Sequence, residues 1–351
     1  MMSKRIAAAG AIATVALSTA VVSSPGAAGA ATAPSTSWRP VYHTHFATAT
    51  VMHGVTALGP KHAWTIGFDH AHGFVLAWNG KTWRAMKALP SGYLPLAVTA
   101  TSPADLWVFS QTNLNGLTET EASRWNGYRW LQVPMPDDDI GDGVAAASSA
   151  TDVWYSSGQR LLHWNGYRWS ITVTPTPVAV ANGPGGQVWE ALAGRVGGQR
   201  SCLIARRWTG KRWVSVHVPH LAVATQNLNS PWFISLSIAS ARNIAIKVPT
   251  PTIRSGQRLI RGVFWSDGRW KIVAVPRFAG DPVFAATGRR QVWAGHTALF
   301  TGRHWLRAWQ ATTATNAMTG VPGTSATWAV GDGANSAAHT PQGWIWLNGK
   351  L

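Results

Sequence analysis

From Trp38 onward, apolar and polar residues alternate in short runs broken by Gly, Pro, Asn and Asp. No segment sustains an amphipathic helical period, so the pattern predicts short strands joined by tight turns and an all-β protein. The clearest unit is Trp164-Asn165-Gly166-Tyr167-Arg168-Trp169. It reads as a strand end, an Asn-Gly turn and an antiparallel return strand. A two-residue hairpin turn needs positive φ at both central positions, which Asn-Gly tolerates. In that register Trp164 pairs with Tyr167 and Leu162 with Trp169, all four on one face.

The unit recurs at Trp78–Trp83, Trp125–Trp130, Trp208–Trp213, Trp265–Trp270 and Phe300–Trp305, and Leu347–Leu351 is a last copy cut short. A strand carrying Trp precedes most copies, at Trp64, Trp107, Trp154, Trp189, Trp293 and Trp328. In the fifth repeat Asn243-Ile244 takes that slot and the Trp is lost. Each repeat thus supplies four strands; in the third they are 144–148, 153–156, 160–164 and 167–173. Four antiparallel strands every ~40–45 residues form the blade of a β-propeller. Seven anchors predict seven blades, at about 51–89, 94–134, 143–174, 178–218, 232–276, 283–310 and 316–351. The last repeat lacks its outer Trp, and Ser37-Trp38-Arg39-Pro40-Val41 has the matching pattern. The N-terminal strand, 37–42, is therefore expected to complete the last blade, with Trp38 in the missing slot.

These repeats resemble Kelch-type repeats, and Ser266-Asp267-Gly268-Arg269-Trp270 is similar to the Asp-box of sialidase-like propellers. Secreted bacterial propellers with Asp-Val-Trp and Trp-Asn-Gly-x-x-Trp repeats are the nearest likeness, over Trp38 to Leu351. The Gly-Gly doublet of Kelch repeats is missing, and most turns lack the Asp-box Ser and Asp. The resemblance implies a propeller fold and carries no particular function.

Residues 1–30 are of another kind. Lys4 and Arg5 precede an apolar run from Ile6 to Val22, and Ala28-Gly29-Ala30 suits a signal peptidase, with Ala31-Thr32-Ala33 as a second site. This predicts a signal peptide, a short linker over 31–36, and export to the cell exterior, with association to the wall as one outcome. A retained membrane anchor is the other reading of the same run; no other stretch is apolar enough to span a bilayer. Cys202 is the one cysteine of the chain, so no disulfide within it can form, and its strand-like neighbours predict a buried thiol.

Charged residues are only 12% of the chain, yet its net charge is +17. The excess points to anionic partners: wall polymer, polysaccharide or an exported protein, without specific nucleic-acid recognition. The hairpin turns place a cation in every repeat: Lys81, Arg129, Arg168, Lys211 with Arg212, Arg269, Arg303 and Lys350. A ring of cations on a rigid disc suits a polyanion, whose counterions binding would release; solvated turns that happen to use Lys and Arg are the plainer reading. Acids gather instead in the loops of the other face, at Asp69, Asp137, Asp138, Asp139, Asp142, Asp281 and Asp332. Asp137, Asp139 and Asp142 form a candidate Ca²⁺ loop without EF-hand spacing. His43, His45, Asp69, His70, His72, Asp332 and His339 are candidates for a Zn²⁺ site or for acid–base work beside the closure seam. Neither metal is required by the fold.

Most of the 22 Trp occupy repeated slots and read as packing; Trp232, Trp309 and Trp344 fall off the pattern and are candidate sugar platforms. Nucleophile-elbow, zincin and phosphate-loop signatures are absent. The sequence therefore predicts a monomeric, secreted, non-catalytic binding or scaffold propeller. The competing class is an extracellular carbohydrate-active hydrolase or lyase using the His/Asp face.

Overall fold

Each hairpin is set by one side chain at its turn. Asn165 Oδ1 accepts hydrogen bonds from the backbone N–H of Tyr167 (3.0 Å) and Arg168 (2.9 Å), while its own N–H donates to Arg168 O at 3.2 Å. Gly166 alone takes positive φ, +90°. The connection therefore has four residues, and Trp164 pairs with Trp169 and Leu162 with Ile171. This corrects the two-residue register expected from Asn-Gly. An Asn held as an Asx turn keeps ordinary φ and caps two N–H groups, which a type I′ turn would leave to solvent. The face containing Trp164 and Trp169 survives the shift because it moves the register by two; Tyr167 leaves that face for the turn tip.

A computed structural model describes residues 36–45, 48–70, 72–89, 94–114, 117–136, 140–195, 201–224, 234–255, 257–266, 268–279, 282–288, 290–308, 314–334 and 341–351. The expected signal peptide and linker lie almost wholly outside them, as do Asp137, Asp139, Asp281, His339, Trp232 and Trp309. Among the described residues no helix is long and apolar enough to cross a membrane.

The hairpins assemble into seven four-stranded antiparallel sheets, the blades of a β-propeller. Blade 3 comprises Val144–Ser149, Asp152–Ser157, Arg160–Trp164 and Trp169–Val173. The first strand of each blade lies innermost, and these seven strands surround a central channel. Blade 7 comprises Ala317–Gly320, Thr327–Ala334 and Pro341–Asn348, and its outer position is filled by the N-terminal strand Trp38–His43. Two distant chain segments thus share one sheet, which closes the ring noncovalently.

Packing between blades repeats one motif. The Trp on a blade's second strand receives two aromatic rings from the next blade's hairpin. Trp154 meets Trp208 and Trp213 at centroid distances of 5.0 and 5.6 Å, and Trp328 meets Trp78 and Trp83 at 5.2 and 5.1 Å. Most of these contacts are edge-on, as ring quadrupoles prefer. Trp107, Trp154, Trp293 and Trp328 are among the most deeply buried side chains.

Blade 5 shows what happens when the Trp is missing. Ala245 stands in its slot, and Phe264, directly across the ladder, supplies the ring instead. Phe264 lies 4.9 Å from Phe300 and 6.1 Å from Trp305 of blade 6. The aromatic has moved one strand outward and kept its partners.

Trp38 does the same job at the seam. It packs against Trp293 of blade 6 at 4.7 Å. Its register differs from the expected slot by one residue: Trp38 pairs with Asn348 and Arg39 with Leu347, the counterpart of Trp164. A bulge between Pro40 and Tyr42 then shifts the pairing by one residue more, so that Tyr42 faces Ile345 and His43 faces Trp344, as an extra residue in one strand does.

Two substitutions test this packing by equilibrium denaturant unfolding. Trp154→Ala should lower stability by about 3–5 kcal/mol, the usual loss for an indole in a core. Gly166→Ala forces an L-residue to positive φ with its Cβ about 2.8 Å from Thr151, and should lower it by about 1–3 kcal/mol.

Candidate functional site

Antiparallel blades sort their connections onto two faces. Turns joining strands one to two and three to four open on one face; loops joining strands two to three, and successive blades, open on the other. The hairpin turns belong to the first, hereafter the turn face.

Lys81, Arg129, Arg168, Lys211, Arg212, Arg269, Arg303 and Lys350 are all exposed on the turn face. None of them stands in an ion pair among the described residues. In five of these turns the backbone is fixed nonetheless. Asn79 and Asn126 repeat the Asx turn of Asn165, and Thr209 and Thr301 cap theirs through the hydroxyl. The turn also rests on its neighbour: a Cβ at Gly127 would lie 3.0 Å from Ala104, and one at Gly166 would press on Thr151. The cations project from rigid tips. The turns between strands one and two add exposed Lys61, Arg242 and Arg290 to the same face. The sequence reading missed these three because it followed the hairpin motif alone; their position just before each second strand was the available signal.

The acids of this face are occupied. Asp105 is buried and accepts from Thr101 and, at 2.8 Å, from Arg124 Nε. Asp152 accepts from Ser148 Oγ (2.6 Å), His163 Nε2 (2.5 Å) and Trp208 Nε1 of blade 4 (2.8 Å). Burial alone would raise its pKa, but those hydrogen bonds and the nearby His163 outweigh burial and hold it below the ordinary value. Asp152 therefore ties blade 3 to blade 4. Asp267 lies outside the described residues.

On the loop face the sequence candidates fall into separate groups. His43 and His45 pack ring against ring at 4.2 Å, and His72 Nδ1 lies 3.5 Å from Asp69 Oδ1. His70 occupies the turn between that pair with φ +40°. Asp332 accepts from Asn316 Nδ2 at 2.6 Å, and the same nitrogen reaches Met52 O in blade 1 at 2.8 Å. Among the described residues no three His, Cys, Asp or Glu side chains come together as metal ligands. Asp142 is exposed and described, but its partners in the candidate Ca²⁺ loop are not. Trp344 packs against Trp346 and His43, with its Nε1 buried. It belongs to the closure seam and offers no open sugar platform.

The central channel has a volume of about 670 Å³ and is walled largely by Ala, Gly, Val, Ser and Thr; His53 is its one titratable lining residue among those described. Side chains strap its inner edge from blade to blade. Asn182 of blade 4 accepts from Ala147 N (2.6 Å) and donates to Thr99 Oγ1 of blade 2 (2.8 Å). Ser237 of blade 5 accepts from Ala286 N at 2.9 Å, and His53 Nδ1 donates to Leu96 O at 3.0 Å. These bonds satisfy inner-strand amides and carbonyls that have no further strand to pair with. Cys202 is buried as expected, with Sγ 3.1 Å from His220 Nε2.

No family model and no curated protein matches the chain. Among solved structures, the β-propeller domain of the Trilobed protease from Pyrococcus furiosus, described as having an open velcro topology, is similar at a TM-score of 0.50 and 5% identity, over 86% of this chain and 94% of that one. A puromycin-hydrolyzing peptidase of Mycobacterium tuberculosis is similar at a TM-score of 0.50 and 13% identity, over 86% of this chain and 52% of that one. This chain spans about half of that peptidase. Both likenesses concern the fold.

Buried Glu190 gives a pH test. It lies on blade 4's second strand, paired with Arg206, and burial pushes its pKa from 4.5 to about 7, the Arg206 charge offsetting part of the shift. The folded state then binds more protons than the unfolded one between these values, so stability falls as pH rises through that window. Glu190→Gln should flatten the fall, on the order of 3 kcal/mol at full shift, in denaturant midpoints measured from pH 4 to 8.

Proposed function

We propose that the protein is a secreted, monomeric, non-catalytic binding module of the cell envelope that holds an anionic polymer against its turn face. The observation carrying this reading is the set of exposed cations in the six hairpin turns and just after the last strand of blade 7, five of those turns capped by an Asn or Thr side chain, on a face whose described acids are consumed by internal hydrogen bonds. Multivalent pairing with a polyanion releases condensed counterions, so many weak ion pairs sum to useful affinity and make it salt-dependent. A rigid ring suits this, because little order must be imposed on the protein when the polymer arrives. The Kelch-like and Asp-box-like character of the repeats and the leader-like residues 1–30 support an exported propeller of this kind. The chemistry asks for no cofactor.

Charge reversal tests it. Arg129→Glu, Arg168→Glu and Arg212→Glu together should lower retention on an anionic column. They should also make the dependence of log affinity on log salt shallower, by about one unit for each cation that no longer pairs with the polymer. Retention and slope identical to those of the unaltered protein would remove the turn face as the binding surface.

A further inference from the structure

Blades 2 and 3 differ from the rest of the ring at one position. The residue after the turn glycine is Lys81, Lys211, Arg303 and Lys350 in blades 1, 4, 6 and 7, but Tyr128 and Tyr167 in blades 2 and 3. Both rings are left in solvent, 73% and 87% exposed, and Tyr167 is the most exposed large apolar side chain among the described residues. Aromatic surface of that size normally goes to a core or to a partner. The two turns share one geometry: Gly φ of +91° and +90°, and Asn Oδ1 to the Tyr N–H at 3.0 Å and to the Arg N–H at 2.9 Å. Adjacent blades therefore present the same pair, a Tyr ring followed by an Arg.

Lys87, leaving blade 1, completes the first pair. Its Nζ donates to Tyr128 O at 2.9 Å and sits 4.4 Å from the centre of the Tyr128 ring. Among the described residues no ring or cation packs on Tyr167. Blade 4 continues the arc with exposed Lys211 and Arg212.

We infer that this arc is a subsite for an acidic polysaccharide, the Tyr rings stacking on the apolar faces of sugar residues and Arg129 and Arg168 pairing with their carboxylates. The inference rests on the cationic-face reading above and narrows it from any polyanion to one built of sugar rings. A Tyr with two rotatable side-chain angles supplies contact area at low entropic cost, and the flanking guanidinium forks match planar carboxylates. A saccharide-free polyanion would use the cations and ignore the rings.

The test compares alginate, inorganic polyphosphate and a single-stranded oligonucleotide as probes at fixed ionic strength. Tyr128→Ala with Tyr167→Ala should weaken alginate binding on the order of tenfold, as expected when two stacking rings are removed, and leave polyphosphate binding within about twofold. Tyr128→Phe with Tyr167→Phe should restore alginate binding. A matching thermal melt verifies folding, which exposed tips should not disturb. Unchanged alginate binding by the alanine variant overturns the inference alone, as does an equal loss on polyphosphate. A larger loss on the oligonucleotide than on alginate also overturns it, by assigning the rings to bases. Failure of the unaltered protein to bind any of the three overturns the cationic-face reading, and this one with it.

Discussion

The structure depends on the aromatic nests between blades, in which second-strand indoles such as Trp107, Trp154 and Trp328 each take two rings of the following blade. Propeller blades share no backbone ladder with their neighbours, so side chains must hold the ring together. Burying large aromatic rings at every joint is a strong way to do so, since each removes up to a few hundred Å² of apolar surface from water. The nest also dictates the hairpin. Two aromatics must stand opposite each other at the strand ends, which the four-residue Asx turn allows by pairing Trp164 with Trp169. From that turn follows the exposed tip, and from the tip the arrangement of charge.

Blade 5 and the seam show that the constraint lies in the nest and not in any one residue. Phe264 replaces a missing Trp from the neighbouring strand, and Trp38 reaches Trp293 from a register one residue away from the usual one. Both solutions change the local sequence while keeping an aromatic contact between blades. Polar ties run alongside: Trp208 Nε1 to Asp152 at the outer part of a joint, Asn182 at the inner edge between blades 4 and 2, and Asn316 between blades 7 and 1. With the joints satisfied internally, the turn tips are free to vary, and it is there that the exposed cations and the two exposed tyrosines lie.

The blade count, the four-strand repeat and the N-terminal closure were legible because Trp and Asn-Gly recur with a period that only a propeller explains. In blade 3 the strand starting at Arg160 and ending at Trp164 is found where it was read. The turn register was not legible, because Asn-Gly fits both a two-residue I′ turn and an Asx-capped longer one; the choice is made by the Trp–Trp pair across the ladder. The replacement of a Trp by Phe264 was hidden for a similar reason, since the two residues are neighbours only through strand pairing. The exposed cations of the hairpin turns were predicted from position alone. Lys61, Arg242 and Arg290 were not, because no motif marks their turns. The loop-face histidines lie close to the seam in sequence, yet among the described residues they stand as the His43–His45 and Asp69–His72 pairs, with His70 at the turn of the second. Loop paths depend on contacts that periodicity does not encode.

The proposed binding surface is the turn face. Covalent footprinting of lysines and histidines, with and without saturating alginate, addresses it most directly. Lys61, Lys81 and Lys211 should lose reactivity towards an amine-specific reagent when the polymer is bound, while His43, His45 and His72 of the loop face keep theirs towards an imidazole-acylating reagent. Protection of the histidines with the turn-face lysines unchanged would contradict it.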